Sequence, residues 1–221
     1  MKQLKSQQGF TLVEIAIVLV IIGLLLGGVL KGQELIENSK VKAAASDLNG
    51  VTAAYNAYID RYRRLPGDDG PTATLTARGT SWAAVTGNDN NGVIASTAAQ
   101  TFTGGGENDN FWQHLRAAGF INGNPSLTAQ AALIRNPFGG LMGFTNADIM
   151  ATAPATWNGN KICLSQVPGK LATTLDNQLD DGVPNTGNLR ATVGTAGANT
   201  QPGVAVATYI EDNQYTICRS L

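Results

Sequence analysis

Apolar residues are distributed unevenly along the chain. From Phe10 to Leu30 they form an almost unbroken run, in which only Thr11 and Glu14 are polar. At about 1.5 Å per residue a helix of this length spans roughly 30 Å, the thickness of a bilayer core. The chain has no second long apolar helix to pack against this one, so the pattern favours a membrane span over a soluble core helix. Beyond it the pattern changes. Leu35, Val41, Ala45, Leu48, Val51, Ala54, Tyr55, Tyr58, Ile59 and Tyr62 recur at helical spacing with polar residues between them. This predicts an amphipathic continuation that must lie against something, and the remaining chain is the candidate. Gly23, Gly27, Gly28 and Gly32 lower local helix propensity and allow bending. Leu65-Pro66-Gly67 is expected to end the helix, because the residue before a proline avoids the α region. The whole helix, Phe10 to about Arg64, would run roughly 80 Å.

From Leu65 onward the chain is rich in Gly, Asn and Thr and reads as short elements joined by loops. ENDNFWQHLRAA, residues 107–118, predicts a short helix with Asp109 as its cap and Gly119 as its stop. Residues 171–179 predict another, with Leu171, Leu175 and Leu179 on one face. KICLSQV, 161–167, reads as a strand. VAVATYI, 204–210, and YTICRSL, 215–221, flank EDNQ as a hairpin. No repeat of solenoid period is visible.

Composition narrows the function more than the fold. The formal net charge is −1, which argues against a nucleic-acid partner recognised by bulk charge. One histidine, His114, and two cysteines, Cys163 and Cys218, leave no zinc site built on several Cys and His ligands. GxSxG, HExxH, GxxxxGK and CxxC are all absent, and no acid/base or nucleophile set stands out for an enzyme. His114, beside Phe111 and Trp112, reads as a packed helix residue. Tyr55, Tyr58 and Tyr62 read as a stripe for helix-to-sheet packing.

The start of the chain is more specific. MKQLKSQQG places Lys2 and Lys5 before the apolar run, and nothing like an A-x-A cleavage site follows Leu30. The lysines keep this end cytoplasmic and send the rest of the chain outside. Gly9-Phe10-Thr11-Leu12-Val13-Glu14, leading into the apolar run, resembles the processing signature of type IV pilins and type II secretion pseudopilins. The resemblance implies cleavage between Gly9 and Phe10 by a membrane peptidase, with methylation of the new Phe10 amine. It implies a cleaved leader (1–9), an N-terminal helix (10–64, of which 10–30 is membrane span and later filament core) and a globular periplasmic or extracellular head (65–221). Loss of the leader removes two lysines and takes the formal charge from −1 to −3. The implied fold is α+β: the long helix packed on a small antiparallel sheet, a ladle-shaped subunit. Pilins often carry a proline in this helix, whereas here the comparable region has glycines.

Two readings of Glu14 follow. An acid near a helix N-terminus is favoured by the macrodipole. The resemblance adds an assembly role, in which Glu14 pairs with the Phe10 amine of a neighbouring subunit and sets axial register. Cys163 and Cys218 would meet an oxidising compartment outside the inner membrane, so a disulfide is expected, against the alternative of two buried thiols. Acidic and amide-rich loops, with Asp180 and Asp181 as the better pair, suggest calcium, which some pseudopilins bind; ordinary turn chemistry accounts for the same residues. No other cofactor is expected.

The implied function is that of a structural subunit of a type IV pilus-like filament, not an enzyme. Its partners would be copies of itself or related pilins, the prepilin peptidase/methyltransferase, an inner-membrane assembly platform with a separate ATPase, and the membrane. It would sit as a single-pass inner-membrane protein before assembly and at the cell surface in a pilus or pseudopilus afterwards. The alternatives are a minor pseudopilin of type II secretion and a membrane-anchored binding module.

Overall fold

The computed structural model describes residues 11–151 and 156–221. It divides into two compact units, residues 1–39 and 40–221. The first contains the start of a single long helix, α1 (Leu12–Tyr62). The helix stops at Tyr62, two residues before the expected end at about Arg64. Arg63 takes the left-handed conformation (φ 56°) while its N–H still bonds the Ile59 carbonyl.

The second unit begins on the C-terminal part of α1, whose buried side chains are Val41, Ala44, Ala45, Leu48, Val51, Ala54, Tyr55 and Tyr58. Their spacing is the amphipathic pattern of the sequence, here covered by the rest of the chain. Among the described residues four further α-helices follow it: α2 (Thr72–Thr76), α3 (Gln100–Thr103), α4 (Glu107–Ala117) and α5 (Gly169–Leu179). Five strands, β1 (Ile134–Arg135), β2 (Leu141–Thr145), β3 (Lys161–Pro168), β4 (Leu189–Gly194) and β5 (Gln214–Ser220), form one antiparallel sheet in the order β1-β2-β3-β5-β4. The α+β fold with an antiparallel sheet is therefore observed.

A layer of aromatic rings ties the parts together. Tyr55 of α1 lies 6.2 Å from Phe111 of α4, and Phe111 stacks on Phe144 of β2 at 4.4 Å. α3 lies directly on β2 at Gly143, where a Cβ would stand 1.8 Å from the Thr101 carbonyl oxygen, so only glycine fits. α4 is buried at every position from Asn108 to Ala117. It ends as Gly119 foretold: Gly119 N–H bonds the Arg116 carbonyl and Phe120 N–H the Leu115 carbonyl, with Gly119 at φ 79°. Its start differs from expectation. The N-cap is Gly106, and Asp109 sits inside the first turn. Asp109 accepts the Gly105 N–H at 2.8 Å and reaches across to the Ala129 N–H at 2.7 Å. It joins two loops rather than capping the helix.

The C-terminal hairpin also differs. β5 pairs with Leu189–Gly194, and residues 204–210 form no strand. Val206 N–H makes one bond to the Ala191 carbonyl at the outer edge of β4. The Tyr215 hydroxyl accepts the Ile210 N–H at 2.7 Å, and the Tyr209 hydroxyl donates to Asp176 at 2.7 Å. Side chains thus hold this segment in place of a ladder. Ala205, Val206 and Tyr209 pack partly against the core, while Val204 is 78 % exposed.

Candidate functional site

The candidate site of the first unit is the N-terminal turn of α1 and the apolar surface behind it. Gly9 and Phe10, the expected cleavage and methylation positions, lie outside the described residues. Thr11 and Glu14 lie inside them and form a reciprocal pair. Thr11 N–H and the Thr11 hydroxyl donate to Glu14 Oε2 at 2.8 and 2.9 Å, and Glu14 N–H donates to Thr11 Oγ1 at 3.3 Å. This is a capping box: Thr at the N-cap and Glu three residues on satisfy each other's backbone donors. The sequence carried its signal, Thr-x-x-Glu before an apolar run, which the macrodipole reading alone misses. The box uses Oε2 and leaves Oε1 outside it.

Behind this turn the helix is long and apolar enough to cross a membrane, and none of its most apolar window is buried by the described residues. Leu12, Leu24 and Leu30 are among its exposed side chains. Gly23 and Gly27, and again Gly28 and Gly32, are spaced four residues apart, with nothing within 4 Å of where a Cβ would stand. The chain's own packing does not call for these glycines. Small residues at this spacing let a neighbouring helix approach closely in an apolar medium.

In the second unit, polar groups cluster where α1 ends. The Tyr58 hydroxyl donates to Asp69 Oδ2 at 2.7 Å, and Arg78 Nη1 donates to the same oxygen at 2.7 Å. The Arg78 guanidinium covers the Tyr62 ring at 4.4 Å and the Trp82 ring at 4.9 Å. Burial and the Asp69 carboxylate push the Tyr58 pKa up. His114 is fully buried beside them, parallel to Tyr58. Its Nδ1 accepts the Gly67 N–H at 2.9 Å, so the proton sits on Nε2, 2.9 Å from the Thr86 carbonyl. Burial pushes its pKa down to about 4. His114 is a structural residue, as its neighbours in the sequence implied, and the tyrosine stripe packs into the core.

Cys163 and Cys218 face each other across β3 and β5 and form a disulfide with an S–S distance of 2.02 Å. Asp180 and Asp181 come together with Asp176, their carboxylate oxygens all within 4.8 Å of one another. These are the residues that could hold a cation. All three already serve the loop after α5. Asp180 accepts the Leu189 N–H, Asp181 accepts the Val183 N–H, and Asp176 accepts the Gly182 N–H and the Tyr209 hydroxyl. A second group, Asp68, Asp89 and Glu107, is similar, with Asp68 clamping the Asn91 and Gly92 N–H groups.

Residues 4–30 match the family model described as the prokaryotic N-terminal methylation motif. This motif stands at the start of a long helix whose C-terminal part packs on an antiparallel sheet, and its signature is similar to that of type IV pilins and pseudopilins. No curated protein matches the chain. Among solved structures it aligns with TcpA, a type IV pilin from Vibrio cholerae El Tor biotype. The identity is 13% and the TM-score 0.39, over 82% of this chain and 98% of that chain. The likeness rests on the motif at residues 4–30.

Proposed function

We propose that the chain is a subunit of a type IV pilus-like filament. A prepilin peptidase cuts between Gly9 and Phe10 and the new amine is methylated. The apolar half of α1 then anchors the subunit in the inner membrane with its head outside. On assembly this surface exchanges lipid for the helices of other copies, so it never meets water. The observation that carries the reading is the pairing of a fully exposed apolar helix with an acid in its first turn. A simple anchor needs the apolar length but not the acid.

Glu14 serves the helix and the filament with different oxygens. Oε2 closes the capping box, which holds the carboxylate at the mouth of the helix. Oε1 is left for the Phe10 amine of a neighbour. An α-amine has a reference pKa of about 7.7–8.0, so most copies are cationic at neutral pH. An ion pair of this kind in a low-dielectric core fixes the level at which one subunit docks on the next.

Mass spectrometry of the chain recovered from the cell envelope tests the processing step. The expected N-terminus is N-methylated Phe10. Recovery of a chain that still begins at Met1 contradicts the proposal and leaves a tethered binding module in its place.

A further inference from the structure

The second unit carries a groove of 330 Å³ between α1 and the turn that follows α4. Val51, Ile121, Ile134 and Met142 give it apolar walls, and Asp47 stands at its rim. Gly50 widens the opening, since nothing lies within 4 Å of where its Cβ would be. Among the described residues the ion pairs are Lys31–Glu34, Arg63–Asp60 and Arg78–Asp69, and none involves Asp47. Burial alone acts on the Asp47 carboxyl, and it raises the pKa. An unpaired acid against apolar walls suits a side chain with an aliphatic stem and a cationic tip.

We propose that this groove receives Lys42 from a second copy of the chain, so that an Asp47–Lys42 ion pair joins neighbouring subunits. The proposal rests on the filament reading, in which copies pack with their α1 helices parallel and alike in orientation. In such an assembly each copy gives with one face what the next receives on the opposite face, and the contact repeats without closing. Five residues along a helix turn through about 140° and rise about 7.5 Å. Asp47 and Lys42 therefore stand on roughly opposite sides of α1, as this arrangement demands. Lys40 does not meet the condition. Seven residues bring it back to within about 20° of the direction of Asp47, so on the neighbour it points away from the groove.

Lys42 is exposed, on the side of α1 away from the buried row of Ala44, Leu48, Val51 and Tyr55. The axial shift also agrees with the proposed role of Glu14. Setting Phe10 of one copy level with Glu14 of the next needs four residues, about 6 Å, in the same direction. The difference is one residue, well within the reach of a lysine side chain. Two contacts on one helix would then specify a single stagger, one inside the apolar core and one at the level of the heads.

The test uses the full-length chain in cells that assemble it. Asp47→Lys and Lys42→Asp are each expected to lower filament yield by about tenfold or more, and the double reversal to recover most of the loss. On parent filaments, a water-soluble carbodiimide couples a carboxylate to an amine with loss of water. It is expected to join a peptide containing Asp47 to one containing Lys42 from another copy. Lys42→Arg, which keeps the charge but has no coupling amine, is expected to assemble and lose this cross-link. Single reversals that assemble like the parent, or a cross-link from Asp47 to a different amine, would overturn the contact and leave the filament reading standing. Absence of filaments from the parent chain would overturn both. Should a reversal prevent folding, the cross-link on the parent decides alone.

Discussion

The two halves of α1 are one helix in two different surroundings. From Val41 to Tyr58 every apolar side of the helix that the sequence pattern offers is covered by the rest of the chain. From Leu12 to Leu30 nothing among the described residues covers it. Yet the uncovered half is the more apolar, so the difference is not one of hydrophobicity but of which partner is supplied. The first half relies on a medium outside the subunit, lipid or other copies. The second carries its partner with it, and the polar groups that close that partner down gather around its end, with Tyr58, Asp69 and His114 buried and Arg78 half-buried. Burial within the chain separates self-contained folding from assembly.

The sharpest way to break this contrast is to truncate one side chain in each half. Tyr58→Ala removes a fully buried ring and one of the two donors to Asp69 Oδ2, and should cost the head about 3–5 kcal/mol in a denaturant melt. Leu24→Ala, at a position 73 % exposed, should leave the same melt within about 0.5 kcal/mol and act only on filament cohesion. Equal effects on the melt would show that the halves are not independent.

The disulfide should act on the head alone. Cys163 and Cys218 close a loop of 55 residues, and losing the bond through Cys163→Ala with Cys218→Ala should cost roughly 4 kcal/mol in the chain-entropy account. Circular dichroism in detergent should show the head melting earlier while the apolar half of α1 stays helical. Loss of that helix with the head would contradict the contrast.

Acid should likewise act on the head. His114 is neutral in the fold with a pKa of about 4, while an unfolded histidine takes a proton near 6.5. Its folded pKa is depressed and the favoured form is uncharged. Its contribution is therefore intact above about pH 6.5, falls as pH drops, and reaches a loss of about 3 kcal/mol below the folded pKa. Burial raises the Asp176 pKa, which works in the opposite direction and softens the slope. Because the chain has a single histidine, its imidazole resonances can be followed alone by NMR. The expected titration midpoint is near 4, and a midpoint near 6.5 would show that the head is open around His114.

Much of this was legible in the sequence because it is local. The apolar run, the helical spacing to Tyr62, the Gly119 stop and the strand at 161–167 each follow from residues close together in the chain. What was not legible depends on distant partners. VAVATYI has strand composition, but β5 is paired by Leu189–Gly194 and by β3 instead. The β1–β2 hairpin is held by Asn136, whose amide donates to the carbonyls of Leu141 and of Ser165 in β3. No window around Asn136 contains both partners. Asp109 has the composition of a cap, but its contacts lie at Gly105 and Ala129. At the functional end the motif was plain, and so was the acid. The capping box was also present in the letters, as Thr11 three residues before Glu14.

The central claim is that the bare half of α1 is made to be covered by other copies at a level chosen by Glu14. Filament yield from cells making Glu14→Ala, set against the parent at equal protein levels in the membrane, tests it most directly. The expected result is a loss of assembly of about tenfold or more with the subunit still anchored and its head still folded. Filaments formed by Glu14→Ala as abundantly as by the parent would contradict it.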